Sequence, residues 1–252
     1  MRIALLTDIH GNREAFDACH AEARRLGADK FIYLGDLVGY GADPAYIIDH
    51  VAADAAQGAL VVMGNHDLAA VKGPTRYMHD AAQRAIEWTV KQLDSAQLAF
   101  LAGLPFVATT RSQYGLDTVY VHGDASSPER FVYITGVEEA EQSLSSTRAH
   151  VTFCGHVHRP QLYHMAAGKP AVRFLPTSSL ATPLARSRKW LAVLGSVGQP
   201  RDGDARAAFA LYDDARSSLS YHRVDYDIET AAEKIEAAGL PESFAARLFV
   251  GR

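Results

Sequence analysis

Cysteine is almost absent from this chain: Cys19 and Cys154 are the only two in 252 residues. Two thiols cannot form a disulfide framework, and no second ligand pair stands at the spacing a Cys/His zinc finger needs. Long apolar runs are missing as well. The opening MRIALLTDIHGN is interrupted by Asp8 and His10, which leaves it too short and too polar for a signal peptide or a membrane anchor. No later stretch approaches the roughly twenty apolar residues of a transmembrane helix. Nor is there an excess of positive charge. A net charge of −4 argues against broad contact with nucleic acid or membrane, although a local basic groove stays open. Repeats, low-complexity tracts and linkers are also lacking. At 48% hydrophobic and 21% charged residues, the composition is that of a globular chain able to bury a sizeable core. The expectation is one cytoplasmic domain over residues 1–252.

The first third alternates strand and helix patterns. RIALLT reads as a buried strand. NREAFDACHAEARRLG then places Phe16, Cys19, Ala23 and Leu26 at helical spacing, with Asn12 as N-cap and Gly27 as stop. KFIYLGD is a second strand, PAYIIDHVAADA a helix with Pro44 in its first turn, and GALVVMGNHD a third strand. Strand, helix, strand, helix, strand implies a parallel sheet, with ligands collecting at the carboxyl ends of its strands. Residues 80–101 are expected to be helical, within a segment from about 75 to 101 near the rim of a site. From Pro105 onwards the texture is short strands: FVATT, DTVYVHG, HVTFCGH, QLYHM, AVRFLP, WLAVLGS, RAAFALYDD and LSYHRVDY. The tail reads as two helices broken at Pro241.

Five strand ends carry polar groups: TDIHGN (Asp8, His10), GDLVGYG (Asp36), GNHD (Asn65, His66, Asp67), YVHGD (His122) and FCGHVHRP (His156, His158). Each alone is an ordinary turn or cap composition. Their recurrence at strand ends, always with metal-ligating types, is not ordinary. On an extended strand, residues two apart point to one side, so Asp8/His10 and His156/His158 are each expected to present two groups together. Four histidines, two aspartates and an asparagine suit Mn, Fe, Co, Ni or Zn better than Ca or Mg. Seven ligands exceed one four-coordinate site, whereas two cations bridged by a carboxylate accommodate them. Cys154 is read as a buried packing thiol, and His20, His50, His79, His150, His164 and His222 as structural or surface groups.

In this order, from Asp8-x-His10 through Gly35-Asp36, Gly64-Asn65-His66-Asp67 and His122 to Gly155-His156-x-His158, the motifs resemble the calcineurin-like metallophosphoesterase superfamily. The resemblance implies an α/β fold, a four-layer αββα sandwich of two mixed sheets flanked by helices. It implies that Asp8, His10, Asp36 and His158 hold one metal. Asp36 would bridge to a second, held also by Asn65, His122 and His156. His66 would be the general acid and Asp67 its orienting partner. GDLVGYGADP, IEWTVKQL and GSVGQPRDGDARAAFALYD are further similar to a bacterial and archaeal branch with YfcE-like and diadenosine-polyphosphatase-like members. The chain departs from that branch in two places. Val193-Leu194 precedes Gly195-Ser196 where the branch usually has Asn-Pro, and Asp124-Ala125 stands where it tends to have Ser-Pro.

The implied chemistry is hydrolysis of a phosphoester by in-line attack of a metal-bridging hydroxide. His66, the motif histidine left without a metal, protonates the leaving group. A phosphodiesterase for small or nucleotide-like phosphoesters leads. The alternatives are a phosphomonoesterase, such as a protein Ser/Thr phosphatase, a dinucleoside polyphosphate hydrolase, or a non-catalytic scaffold. No membrane and no stable nucleic-acid partner are expected. Arg201, in GQPRDG, and Arg159 are candidates for steering phosphate. Asn12 is a candidate substrate contact, though capping is its favoured role.

Overall fold

A computed structural model describes residues 1–76, 78–112 and 114–252. The chain opens with β1 (Arg2–Leu6), α1 (Arg13–Arg25), β2 (Lys30–Tyr33), α2 (Pro44–Ala56) and β3 (Leu60–Val61), in the expected alternation. Three helices follow: α3 (Asn65–Lys72), α4 (Asp80–Gln92) and α5 (Ser95–Ala102). Next come β4 (Val107–Arg111), β5 (Asp117–Val121), α6 (Val137–Ser146) and β6 (Val151–Cys154). Strands β7 (Gln161–Ala166), β8 (Val172–Phe174), β9 (Thr182–Pro183), β10 (Arg188–Val193), β11 (Ala207–Asp213) and β12 (Ser218–Val224) lead to α7 (Ile228–Ala237) and α8 (Glu242–Val250).

The eight strand-like runs after Pro105 all appear as strands, and the tail breaks near Pro241 as expected. The single helix read over 80–101 is instead two. Asp94 starts the second one, with its carboxylate accepting the Gln97 N–H at 2.8 Å while Gln97 Oε1 accepts the Asp94 N–H at 3.0 Å. Such a reciprocal box satisfies two end donors and therefore begins a helix. Tyr77, within the stretch read as a rim, lies outside the described residues. Helices α3 and α6 were not legible, the first because Asn-His-Asp after glycine has the composition of a turn.

The strands form two six-stranded sheets, ordered β3-β2-β1-β11-β12-β9 and β4-β5-β6-β10-β7-β8. Both are mixed: β1, β2 and β3 run parallel, as do β5, β6 and β10, and antiparallel strands complete each sheet. Alternation along the strands builds the layers. Ile3 and Leu5 of β1 join Val151 and Phe153 of β6 in the core between the sheets. Ala4 and Leu6 point the other way, to Phe16 and Cys19 of α1 and Ile47 and Val51 of α2. Beyond the second sheet, Ala140 and Leu144 of α6 cover Cys154, Tyr163 and Leu191. The result is the four-layer α/β sandwich expected, with helices outside both sheets. Cys154 is fully buried there, a packing thiol.

Phe153 is fully buried between the sheets. Its ring stacks on Tyr120 at 5.7 Å and meets Tyr212 edge-on at 5.1 Å. Phe153→Ala is expected to cost about 3–5 kcal/mol, read from urea unfolding. A loss below about 1 kcal/mol would show that the inter-sheet core closes over the gap.

Candidate metal centre

The parallel strands of both sheets end at one pole, and the residues just past those ends form the site. The expectation of extended Asp8/His10 and His156/His158 pairs is corrected here. β1 stops at Leu6 and β6 at Cys154. Asp8, His10, Asp36, His156 and His158 all adopt left-handed backbone, with φ of 53°, 51°, 53°, 69° and 60°. Such a conformation costs of order 1–3 kcal/mol for a residue with a Cβ, so neighbours must hold it. Asp8 N–H donates to Gly35 O at 3.0 Å, His10 N–H to Asp36 O at 3.0 Å and Gly11 N–H to Leu37 O at 2.9 Å, which ties the first two loops together. Gly155 permits the third approach: a Cβ there would overlap Thr7 Oγ1 and Asp8 Oδ2. The glycine makes room for the Thr7–Asp8 turn.

Each aspartate uses one oxygen to fix itself and turns the other inward. Asp8 Oδ2 accepts from Thr7 Oγ1 at 2.9 Å and from the His156 N–H at 3.0 Å. Its Oδ1 is buried with no hydrogen-bond partner and lies 3.2 Å from His158 Nε2. Asp36 Oδ1 accepts the His66 N–H at 2.8 Å. Asp36 Oδ2 lies 3.3 Å from His122 Nε2 and 3.7 Å from His10 Nε2.

The histidines are aimed by their outer nitrogens. His10 Nδ1 is 3.1 Å from Val38 O, His158 Nδ1 2.6 Å from Gln199 O and His122 Nδ1 2.7 Å from Leu34 O. A carbonyl only accepts, so each Nδ1 carries a proton, and each Nε2 presents a lone pair whenever its ring is neutral. Those lone pairs converge. His10 Nε2 and His158 Nε2 stand 3.2 Å apart; His122 Nε2 is 3.1 Å from His156 Nδ1 and 3.2 Å from Asn65 Oδ1. Facing lone pairs repel unless a positive charge lies among them, so the residues fit cations. Asp8, His10 and His158 form one group able to hold a metal, and Asp36, His122 and His156 another. Asn65 joins the second, and Asp36 stands between the two.

The charge balance of the metal-free protein agrees. Burial disfavours charge throughout, yet His158 and His122 hold the Asp8 carboxyl below its ordinary range, and His122 and His66 do the same for Asp36. Burial pushes His156 down to about 3 and His66 to about 4. His122 goes the other way: burial opposes its charge, but Asp36 and Asp8 prevail and raise it to about 9. Without metal, a proton on His122 balances part of the carboxylate charge.

His66 is buried at the start of α3, with its Nδ1 unpartnered and its ring 4.8 Å from that of His10. It also makes a third grouping with His10 and Asp36. Asp67 does not orient the His66 ring. Its Oδ1 accepts from the Leu37 N–H at 2.9 Å and the Val38 N–H at 3.3 Å, and its Oδ2 accepts from the Gly64 N–H at 2.9 Å. It braces the loops of Asp36 and His66, because a carboxylate at the third helical position reaches back to end N–H groups rather than along its own helix. Asn12 caps α1 by accepting the Ala15 N–H at 3.1 Å and donates to Gly198 O at 3.0 Å, the structural role favoured for it. Arg201 comes close to the centre: its Nε is buried and unpartnered, its Nη2 donates to Gln199 Oε1 at 3.1 Å and its Cζ stands 5.8 Å from the Tyr40 ring centre. Arg159 Nε donates to Arg201 O at 2.6 Å and so props that loop.

Three aromatic rings at the site were not read as site residues: Tyr40 stands within GDLVGYG, whereas Phe131 and Tyr133 belong to no motif. Tyr40 packs 4.6 Å from both His10 and His66, Phe131 meets His122 edge-on at 5.8 Å, and half-exposed Tyr133 stacks on His156 at 3.8 Å. The two departures from the branch pattern fall elsewhere. Val193 and Leu194 are fully buried at the end of β10, and Ser196 Oγ donates to Asp8 O at 2.8 Å. Asp124 accepts the Ser126 N–H at 3.0 Å and turns the loop that carries Phe131 and Tyr133. Segment 75–101 approaches the site through α4, whose Ala85 joins the α7–α8 cluster against which Tyr40 packs.

Residues 1–215 match the calcineurin-like phosphoesterase superfamily domain. An uncharacterized protein of Methanocaldococcus jannaschii is 32% identical over 251 residues, covering 99% of this chain and 98% of that protein. The crystal structure of a metallophosphoesterase from Sphaerobacter thermophilus is similar over 100% of both chains, at 31% identity and a TM-score of 0.83. A hypothetical protein from Pyrococcus horikoshii OT3 shares the fold at 19% identity and a TM-score of 0.79, over 100% of this chain and 98% of that one.

A proton on His122 at pH 7 must leave before the ring can ligate. Metal uptake by the stripped protein at pH 7 is therefore expected to release about one proton, read from calorimetric heats in buffers of different ionisation enthalpy. The release should fade as pH is raised through 9. Heats independent of buffer at pH 7 would contradict a charged His122.

Proposed function

Since this chain belongs to the calcineurin-like phosphoesterase superfamily, we propose that it is a dinuclear-metal phosphodiesterase for small or nucleotide-like phosphoesters. One observation carries the reading: two sets of converging lone pairs share Asp36, whose Oδ2 stands between His122 and His10. In this reading Asp8, His10, His158 and Asp36 hold one divalent cation, and Asp36, Asn65, His122 and His156 hold the other. The donors suit Mn, Fe, Co, Ni or Zn. Such ions lower the pKa of water towards neutrality and offset charge on phosphoryl oxygens.

The chain's own groups supply the rest. His66 is neutral at pH 7 in the ligand-free protein, because burial holds it at about 4. An anionic phosphoester beside it favours the imidazolium, and the ring then gives that proton to the departing alkoxide as water attacks from the opposite side of phosphorus. Arg201 has its Nε free for a phosphoryl oxygen, and Tyr40 packs against both His66 and His10. Phosphomonoesterase and dinucleoside polyphosphate hydrolase readings use the same core and differ in the pocket walls. A non-catalytic scaffold fits less well, since His66 and every proposed ligand are present.

His66→Ala is expected to keep its metal and lose roughly 10²–10⁴-fold in turnover of alkyl esters, with a much smaller loss for nitrophenyl esters, whose leaving group needs no proton. Equal losses for both, with metal intact, would argue against the acid. Metal lost along with activity would make His66 a ligand, through its grouping with His10 and Asp36. Asp36→Asn is expected to empty or scramble both sites in elemental analysis, and two retained ions would refute the bridge.

A further inference from the structure

The His66 ring lacks what usually aims a histidine. Its Nδ1 is buried with no hydrogen-bond partner, and the neighbouring Asp67 carboxylate is committed to the N–H groups of Leu37, Val38 and Gly64. A ring that must reach one point on a substrate still has to be held, since a misplacement of about 1 Å can cost about a hundredfold in rate. Packing does the holding here. A Cβ on Gly39 would overlap His66 Nδ1, so the Gly39 backbone closes that edge of the ring. With Nδ1 shut in, Nε2 is the nitrogen left to face a substrate. The Tyr40 ring lies 4.6 Å from His66 and 4.6 Å from His10, and these two stand 4.8 Å apart, so the three rings form a close triangle.

Tyr40 is not placed there by its own backbone preference. It adopts a φ of 66°, a region that a bulky residue rarely enters, so neighbours must hold it. The neighbour is α8. Buried Phe244 meets the Tyr40 ring edge-on at 4.8 Å, within a cluster that includes Ala245 and Leu248. The helix pair is itself pinned at two places. Gly251, with a φ of 61°, accepts the Gly203 N–H at 2.9 Å, and a Cβ there would overlap the Asp204 backbone. Lys234 of α7, the helix packed on α8, donates to Asp43 Oδ2 at 2.9 Å, three residues beyond Tyr40. Both helices follow the residues 1–215 that match the superfamily domain.

We propose that Tyr40 is the positioning residue of His66 and that α8 is the wall keeping Tyr40 in place, so that helices outside the matched domain complete the seat of the general acid. The proposal rests on reading His66 as that acid and adds how its ring is aimed. Ring contact, rather than a hydrogen bond, does the aiming: Tyr40 limits the tilt of the imidazole, and Phe244 limits Tyr40.

Turnover and ring geometry test this separately. The nitrophenyl ester of thymidine monophosphate and thymidylyl-thymidine are both diesters, but only the second needs its leaving alkoxide protonated. Tyr40→Ala should keep its metal and lose roughly 10–100-fold in kcat on thymidylyl-thymidine. On the nitrophenyl ester it should lose less than about threefold, with KM little changed on either. Tyr40→Phe, which keeps the ring, should restore kcat to within about twofold. Phe244→Leu should show the same selective loss in weaker form, and should add nothing to Tyr40→Ala, because it acts through that ring. Crystals of Tyr40→Ala should show the His66 ring displaced or in two rotamers. An unmoved ring, equal losses on both esters, or metal lost from Tyr40→Ala would overturn the brace. Should Tyr40→Ala not fold, Phe244→Leu decides by the same readouts. A displaced ring in a protein whose His66→Ala variant loses equally on both esters would keep the brace and sink the acid.

Discussion

Two imidazole nitrogens, His10 Nε2 and His158 Nε2, face each other at 3.2 Å with both protons committed to carbonyls on the far sides of the rings. In a buried cavity this contact is repulsive unless a positive charge lies between the lone pairs. Much of the fold at this pole maintains it. The two residues are 148 positions apart, and they are held on different sheets, so stacking the sheets is what brings them together. The aromatic inter-sheet core of Tyr120, Phe153 and Tyr212 therefore fixes ligand geometry as well as stability. The same logic applies at His122, whose Nδ1 reaches across to Leu34 O of the other sheet.

The cost of this arrangement is visible in the backbone. Five of the proposed ligands hold left-handed φ values, and a sixth, Asn65, starts a helix directly after Gly64. Strands end here because extended backbone would send alternate side chains to opposite faces, whereas tight turns point them at a common centre. Asp67 matters for the same reason. By bracing the N–H groups of Leu37, Val38 and Gly64, it locks the loop of Asp36 to the start of α3. Burial and the nearby Asp36 raise its carboxyl to about 7, while the Gly64 and Val38 N–H groups it accepts favour the charged form.

Much of this was legible in the sequence, and the failures have physical causes. The nearly unbroken apolar runs in RIALLT and HVTFC reported strands buried on both faces, because a sheet covered on both sides needs apolar side chains at odd and even positions alike. Ligand types could be read because imidazole and carboxylate chemistry belongs to the side chain. Ligand conformation could not, since nothing in Asp8 or His156 as residue types dictates a positive φ. The break between α4 and α5 was legible in principle, as Asp94-x-x-Gln97 is a capping signature. Tyr133 and Phe131 were not, because they reach the site on a loop turned by Asp124, and no periodicity governs where such a loop lands.

Membership in the superfamily accounts for the metal core, yet the core treats one phosphoester much like another. Selectivity must come from groups that the core does not need. On one side of the centre, Tyr40 backs His66 and His10, and its own back is packed on Phe244 of α8. On the other, Tyr133 covers His156 while remaining 48% exposed, so a substrate can meet its free face. Arg201 lies within electrostatic reach of both tyrosines. The walls are thus unequal: Tyr40 is backed by a C-terminal helix, whereas Tyr133 keeps one face towards solvent, so selectivity that depends on contact with an exposed ring must arise on the Tyr133 side.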